Sequence, residues 1–157
     1  MPEPVRLAKS PPGQAHPHAE AARARKKAEA EALGITDAYI DRFVDAFYAK
    51  VRVDDILGPI FNARVHDWPE HLGKLKQFWA SVLHNAGTYS GRPMPAHVAI
   101  PDINRAHFDH WLALFRTTLD ELAPGSPAAE AVHDRARMIA DSLLNGIAIH
   151  REGKLSA

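Results

Sequence analysis

Apolar residues recur at steps of three and four along the chain in four blocks, which predicts four substantial helices. In the first block Ile40, Phe43, Val44, Phe47, Tyr48 and Val51 share one face. Thr36 stands where an N-cap is needed, and the block ends at the turn before Gly58-Pro59. The second block opens at Asp67, with Pro69 in its first turn, and carries Trp68, Leu72, Leu75, Phe78, Trp79, Val82 and Leu83. The third runs from about Asn104 to Leu122 and faces Phe108, Trp111, Leu112, Phe115 and Leu119 inward. Pro124-Gly125-Ser126 stops it and caps the fourth, Pro127 to about Ile149, which buries Val132, Ala136, Ile139, Leu143 and Ile147. Between the second and third blocks, Gly91, Pro93, Pro95 and Pro101 leave room for one turn of helix, around Ala96 to Ala99. No period-two strand pattern and no internal repeat interrupts this series. The prediction is an all-α domain over residues 35–151.

The flanks read differently. Residues 1–17 hold five prolines and one glycine and cannot bury enough apolar surface to order themselves. Residues 18–33 favour helix but carry almost no large apolar side chain, so a marginal helix closed by Gly34 is expected. Together residues 1–34 form a leader that is disordered or marginally helical, and residues 152–157 a short tail. The basic run Arg23, Arg25, Lys26 and Lys27 reads as a solvated helix face.

Composition narrows the function classes. At 157 residues and 46% hydrophobic, the chain has room for one real core. Nineteen basic residues balance nineteen acidic ones, which argues against nucleic acid or an anionic membrane surface as partner. The absence of cysteine removes disulfides, thiolate zinc sites, iron–sulfur clusters and cysteine nucleophiles. The N-terminus lacks the apolar core of a secretory signal, and no stretch approaches the ~20 apolar residues of a membrane span. A cytoplasmic protein is the expectation.

Ten histidines is the unusual count, and His97 stands out among them by context. It lies in PMPAHVAIP, a segment too short and too broken by proline to be stable as a free helix. A metal bound to a neutral imidazole would tie that segment to the fold, and the other ring nitrogen would need an acceptor to fix its tautomer. The structural alternative is a histidine that caps a short helix or lies on the surface. Tyr48, His71 and Trp111 come from three different long helices, on or at the border of their inward stripes. Each alone reads first as a core or boundary residue whose polar atom needs a partner. Converged above His97, they make a haem pocket for a diatomic ligand: one axial imidazole, an opposite side rich in donors, and apolar walls. His107 and His110 have the i, i+3 spacing of a helical metal pair with Asp109 between them, but they flank the apolar stripe, and no Glu-x-x-His motif completes a di-metal site. Neither a glycine-rich phosphate loop nor a Gly-x-Ser-x-Gly elbow is present.

Through these residues the sequence resembles the group III truncated haemoglobins. The stretches that carry the likeness are FVDAFYAKVR, DILGPIFN, DWPEHLGKLKQFWASVL, TYSGRPMPAH and HFDHWLALF, in that order, within residues 36–150. The paired-glycine motifs of groups I and II are missing, in keeping with group III. The resemblance implies a two-over-two helical sandwich around haem b. It implies His97 as the proximal iron ligand, Tyr48 and Trp111 as distal donors, and His71 as the second-helix residue facing the ligand, with a sixth-ligand role open to it. It further implies that Phe61 packs on the haem face and that Leu75, Phe78, Met94 and Phe108 help line the pocket. O₂, NO and CO are the implied ligands, with an unidentified reductase if the protein turns over. A globin that releases O₂ slowly suits O₂, NO or peroxide redox chemistry better than oxygen transport. The other readings are an O₂ or redox sensor or ligand store, a non-haem helical interaction module, and a di-metal enzyme using His107 and His110. The family pattern assigns the leader no role.

Overall fold

The structure is a computed structural model that describes residues 17–156 except Thr88 and Ser90, with only the backbone of residues 154–156. The proline-rich start of the leader, residues 1–16, lies outside the described residues. Seven helices succeed one another: α1 (Pro17–Ala32), α2 (Asp37–Val53), α3 (Leu57–Arg64), α4 (Trp68–His84), α5 (Pro93–Val98), α6 (Arg105–Leu122) and α7 (Pro127–Ser156).

The four long blocks start where their caps stand. Thr36 Oγ1 accepts from the Tyr39 N–H at 3.0 Å, and Asp67 Oδ1 from the Glu70 N–H at 3.1 Å. Asn104 closes a capping box with His107, and Ser126 Oγ accepts from the Ala129 N–H at 3.1 Å. These side chains satisfy backbone donors that have no partner inside the helix.

Elsewhere the structure departs from the sequence pattern. Gly58-Pro59 is a helix start, since Pro59 is the third residue of α3, where a missing N–H costs nothing. The prolines at 93 and 95 likewise begin α5, so it opens three residues before the expected turn. The last helix runs on to Ser156, through the expected tail. In the leader, α1 is a helix packed on α4, with Ala30 buried in the main core. Small side chains let it approach closely, so docking needs no stripe of large apolar residues.

α2 packs on α4 and on α6, α6 on α7, and α5 on α7, which gives two helix layers, α2 with α4 and α6 with α7. Two apolar clusters result. The larger centres on Phe43, Phe47, Trp79, Phe115 and Leu119. Its rings interlock: Phe115 stacks on Trp111 at 5.2 Å and on Trp79 at 5.5 Å, and meets Phe47 edge-on at 4.9 Å. The smaller holds Ile103, Phe108, Ala140, Leu143 and Ile147 beneath α5.

Candidate functional site

Between the two clusters lies a cavity of about 430 Å³, bordered by residues of both. His97, Tyr48, His71, Trp111, Phe61, Leu75, Phe78 and Phe108 all border it. The fold therefore brings to one space residues from α2, α3, α4, α5 and α6. Met94, expected at the wall, is not among the bordering residues. It packs with the α7 side of the smaller cluster, and its sulfur fills the space a Cβ on Gly146 would take. Two positions on so short a helix as α5 point different ways, and His97 takes the cavity side.

His97 is held from behind. Its Nδ1 lies 2.7 Å from the carbonyl oxygen of Pro93, one turn back on α5. A carbonyl can only accept, so Nδ1 carries a proton, and in the neutral ring Nε2 keeps its lone pair. Metal-ligating histidines are oriented in this way, through the nitrogen that does not bind. The ring also lies 6.2 Å from that of Phe108, tilted by 34°.

Tyr48 is buried at 4% exposure. Burial pushes its phenol well above the ordinary tyrosine range, and a hydrogen bond from Trp111 opposes the shift only in part. An indole N–H only donates, so the phenol oxygen accepts and keeps its own hydrogen to give. His71 meets Tyr48 edge-on at 6.5 Å and Trp68 at 5.7 Å. Its burial lowers the imidazole below its ordinary range, and the neighbouring Lys74 cation lowers it further. Phe61 completes this side, 5.8 Å from the Tyr48 ring.

Arg64, Lys74, Arg92, Tyr89 and His107 also border the cavity, and no Asp or Glu does among the described residues. The cations are inconspicuous in the sequence, because arginines and lysines near helix ends look like ordinary surface. Lys74 alone carries a signal there, since it is three residues after His71 and shares its face.

The di-metal reading does not survive the geometry. His107 Nδ1 accepts from the Asn104 N–H at 3.1 Å as part of the α6 cap. His110 Nε2 is 2.9 Å from both carboxylate oxygens of Asp54. Among the described residues, no three His, Cys, Asp or Glu side chains stand together as a metal site.

A large apolar tetrapyrrole bearing two carboxylates fits this cavity. It finds apolar walls, cations without competing acids at the border, and an imidazole with a free nitrogen. The known proteins that the chain matches agree. Residues 30–145 match the bacterial-like globin family. The chain is 36% identical over 110 residues to a group 3 truncated hemoglobin of Campylobacter jejuni, covering 68% of this chain and 86% of the relative. The crystal structure of the group III truncated hemoglobin from Campylobacter jejuni superposes with a TM-score of 0.67 at 34% identity, covering 72% of this chain and 91% of that one. The chain belongs to the bacterial-like globin family, and within it to the group III truncated haemoglobins. Its all-α architecture is the truncated globin fold, and membership makes it a haem-binding protein for small diatomic ligands. Among the described residues, no helix is long and apolar enough to cross a membrane.

Proposed function

We propose that the chain holds haem b through His97 and carries out O₂, NO or peroxide redox chemistry in the cytoplasm, rather than oxygen transport. The observation that carries this reading is the bond between His97 Nδ1 and Pro93 O, which leaves Nε2 free at the cavity. Haem supplies an iron site for O₂, NO or CO and for one-electron exchange.

The residues of the chain do the rest. Phe61, Leu75, Phe78 and Phe108 exclude water and grip the apolar faces of the group. Arg64, Lys74 and Arg92 are the partners for its carboxylates. Tyr48 gives its hydroxyl hydrogen to a diatomic ligand while accepting from Trp111, which orients the phenol. Trp111 serves that side through Tyr48, because its one N–H is given to the phenol oxygen. His71, kept neutral by burial and by Lys74, takes or gives one further hydrogen bond at the ligand. A ligand held by several donors leaves slowly, which suits chemistry on the ligand better than delivery. Turnover draws electrons from an external reductase.

The test is the visible spectrum of the full chain, ferric and ferrous, beside that of His97→Ala. The expected result is a strong Soret band in the wild type and poor haem binding in the variant. An unchanged spectrum and haem affinity in His97→Ala would remove His97 as the ligand. A low-spin ferrous spectrum before any ligand is added would move His71 from the ligand to the iron.

A further inference from the structure

Trp68 is the first residue of α4, three positions before His71 and on the same face of the helix. It does not border the cavity, yet it touches three residues that do. Its ring stacks on Phe61 at 6.5 Å, lies 6.2 Å from that of Tyr48, and meets the His71 imidazole edge-on at 5.7 Å. At 8% exposure the indole is buried, so its N–H needs an acceptor.

Asn62 of α3 supplies that acceptor. Trp68 Nε1 donates to Asn62 Oδ1 at 3.3 Å, and Asn62 Nδ2 donates in turn to the Arg52 carbonyl at 3.0 Å. That carbonyl belongs to the last turn of α2, where such groups find no partner inside the helix. The Arg52 guanidinium lies over the Trp68 ring, 4.8 Å from its centroid. Residues of α2 and α3 thus grip one indole, by its N–H and by its face.

His71 has no comparable hold of its own. Among the described residues no hydrogen bond reaches its ring, whose aromatic neighbours are Trp68, at 86° to it, and Tyr48, at 90°. The charged group beside it is Lys74, one turn on along α4. An imidazole held by packing alone keeps its orientation only as long as the ring it packs against is fixed. Here that ring is the one tied to Asn62 and Arg52.

We propose that Trp68 is a positioning residue for His71. Clamped by Asn62 and Arg52, its indole keeps the imidazole turned to the cavity, where it meets the ligand. The proposal rests on the reading of the cavity as a haem pocket with His71 on the ligand side.

The experiment uses full-length holoprotein in its ferrous CO form and compares Asn62→Ala and Trp68→Phe with the wild type. Asn62→Ala leaves the indole without its acceptor, and Trp68→Phe keeps a ring there without the N–H. In both, the C–O stretching band is expected to shift or split toward that of His71→Ala. The His71 ring-proton titration, followed by NMR, should rise toward that of an exposed imidazole as the ring leaves its buried position. O₂ dissociation should quicken about two- to fivefold, the range of one lost hydrogen bond. A wild-type C–O band and a wild-type His71 titration in both variants overturn the proposal, and a lowered melting temperature with those two readouts unchanged does so as well. His71→Ala, run alongside, separates the two levels. If its C–O band equals the wild type's, the placement of His71 at the ligand fails; if its band moves while Asn62→Ala and Trp68→Phe change nothing, only the role of Trp68 fails.

Discussion

His110 Nε2 lies 2.9 Å from both oxygens of Asp54, a residue fifty-six positions earlier in the chain. Asp54 also accepts from the Ile56 and Leu57 N–H groups at 3.0 and 2.9 Å. One carboxylate thus ends α2, starts α3 and ties both to α6. His110 is the neighbour of Trp111 and α3 carries Phe61, so this contact joins two walls of the cavity.

Desolvation raises the Asp54 carboxyl, but the bonds from Leu57, His110 and Ile56 outweigh it and hold the group below the usual carboxylate range. A carboxyl lowered on folding contributes stability that is present above its unfolded value and lost as pH falls through the folded one. Asp54→Ala should therefore cost about 1–2 kcal/mol at neutral pH, by loss of a cap and of a charged hydrogen bond. The gap to wild type should close in acid. Urea titrations across pH measure it, and a gap that does not change with pH would remove the carboxylate as its cause.

In the proposed reading Tyr48 donates to the ligand and Trp111 orients it, and a donor of that kind is worth roughly 1–2 kcal/mol in a dry pocket. Tyr48→Phe should speed O₂ dissociation by about five- to thirtyfold. Trp111→Phe removes the bond that orients Tyr48, so it should quicken O₂ loss in the same direction. Stopped-flow displacement of O₂ by CO reads both rates; wild-type rates in the two variants would take them out of the ligand site.

His71 should stay neutral to lower pH than an exposed imidazole, because burial and then Lys74 both disfavour its cation. An imidazole lowered on folding is protonated first in the unfolded chain, so stability falls as pH drops below about 6.5. Lys74→Gln should move the His71 titration upward, as tracked by NMR of its ring protons. An unmoved titration would mean that burial alone sets it.

Phe115 has no exposed surface and contacts the rings of Phe43, Phe47, Trp79 and Trp111. Phe115→Ala should cost about 3–5 kcal/mol. Because Trp111 stacks on it, the variant should also change O₂ dissociation, which Phe43→Ala should do less. Thermal melts and ligand kinetics on the two variants check the pair.

Much of this protein is legible in its sequence. Helix periodicity and local caps are short-range properties, so α2, α4, α6 and the start of α7 stand at Thr36, Asp67, Asn104 and Ser126 as the pattern predicts. Proline is more ambiguous in sequence, because it ends a helix from within but suits its first turn. That is why the short α3, which opens just after the expected turn, was not marked as a helix, and why α5 is longer than one turn.

By itself the sequence determined the all-α class, the proline-framed His97 and the three polar aromatic or imidazole residues on separate helices. Each of those rests on spacing along one segment. Tertiary structure alone decided that Met94 turns to Gly146 while His97 faces the cavity, that His110 answers Asp54, and that Arg64, Lys74 and Arg92 all border that cavity. It alone decided, too, that a leader without an apolar stripe docks through Ala30 and pairs Lys27 with Asp37. Those contacts join residues far apart in the chain, and their energy exists only once both partners have been brought together, so no local pattern encodes them.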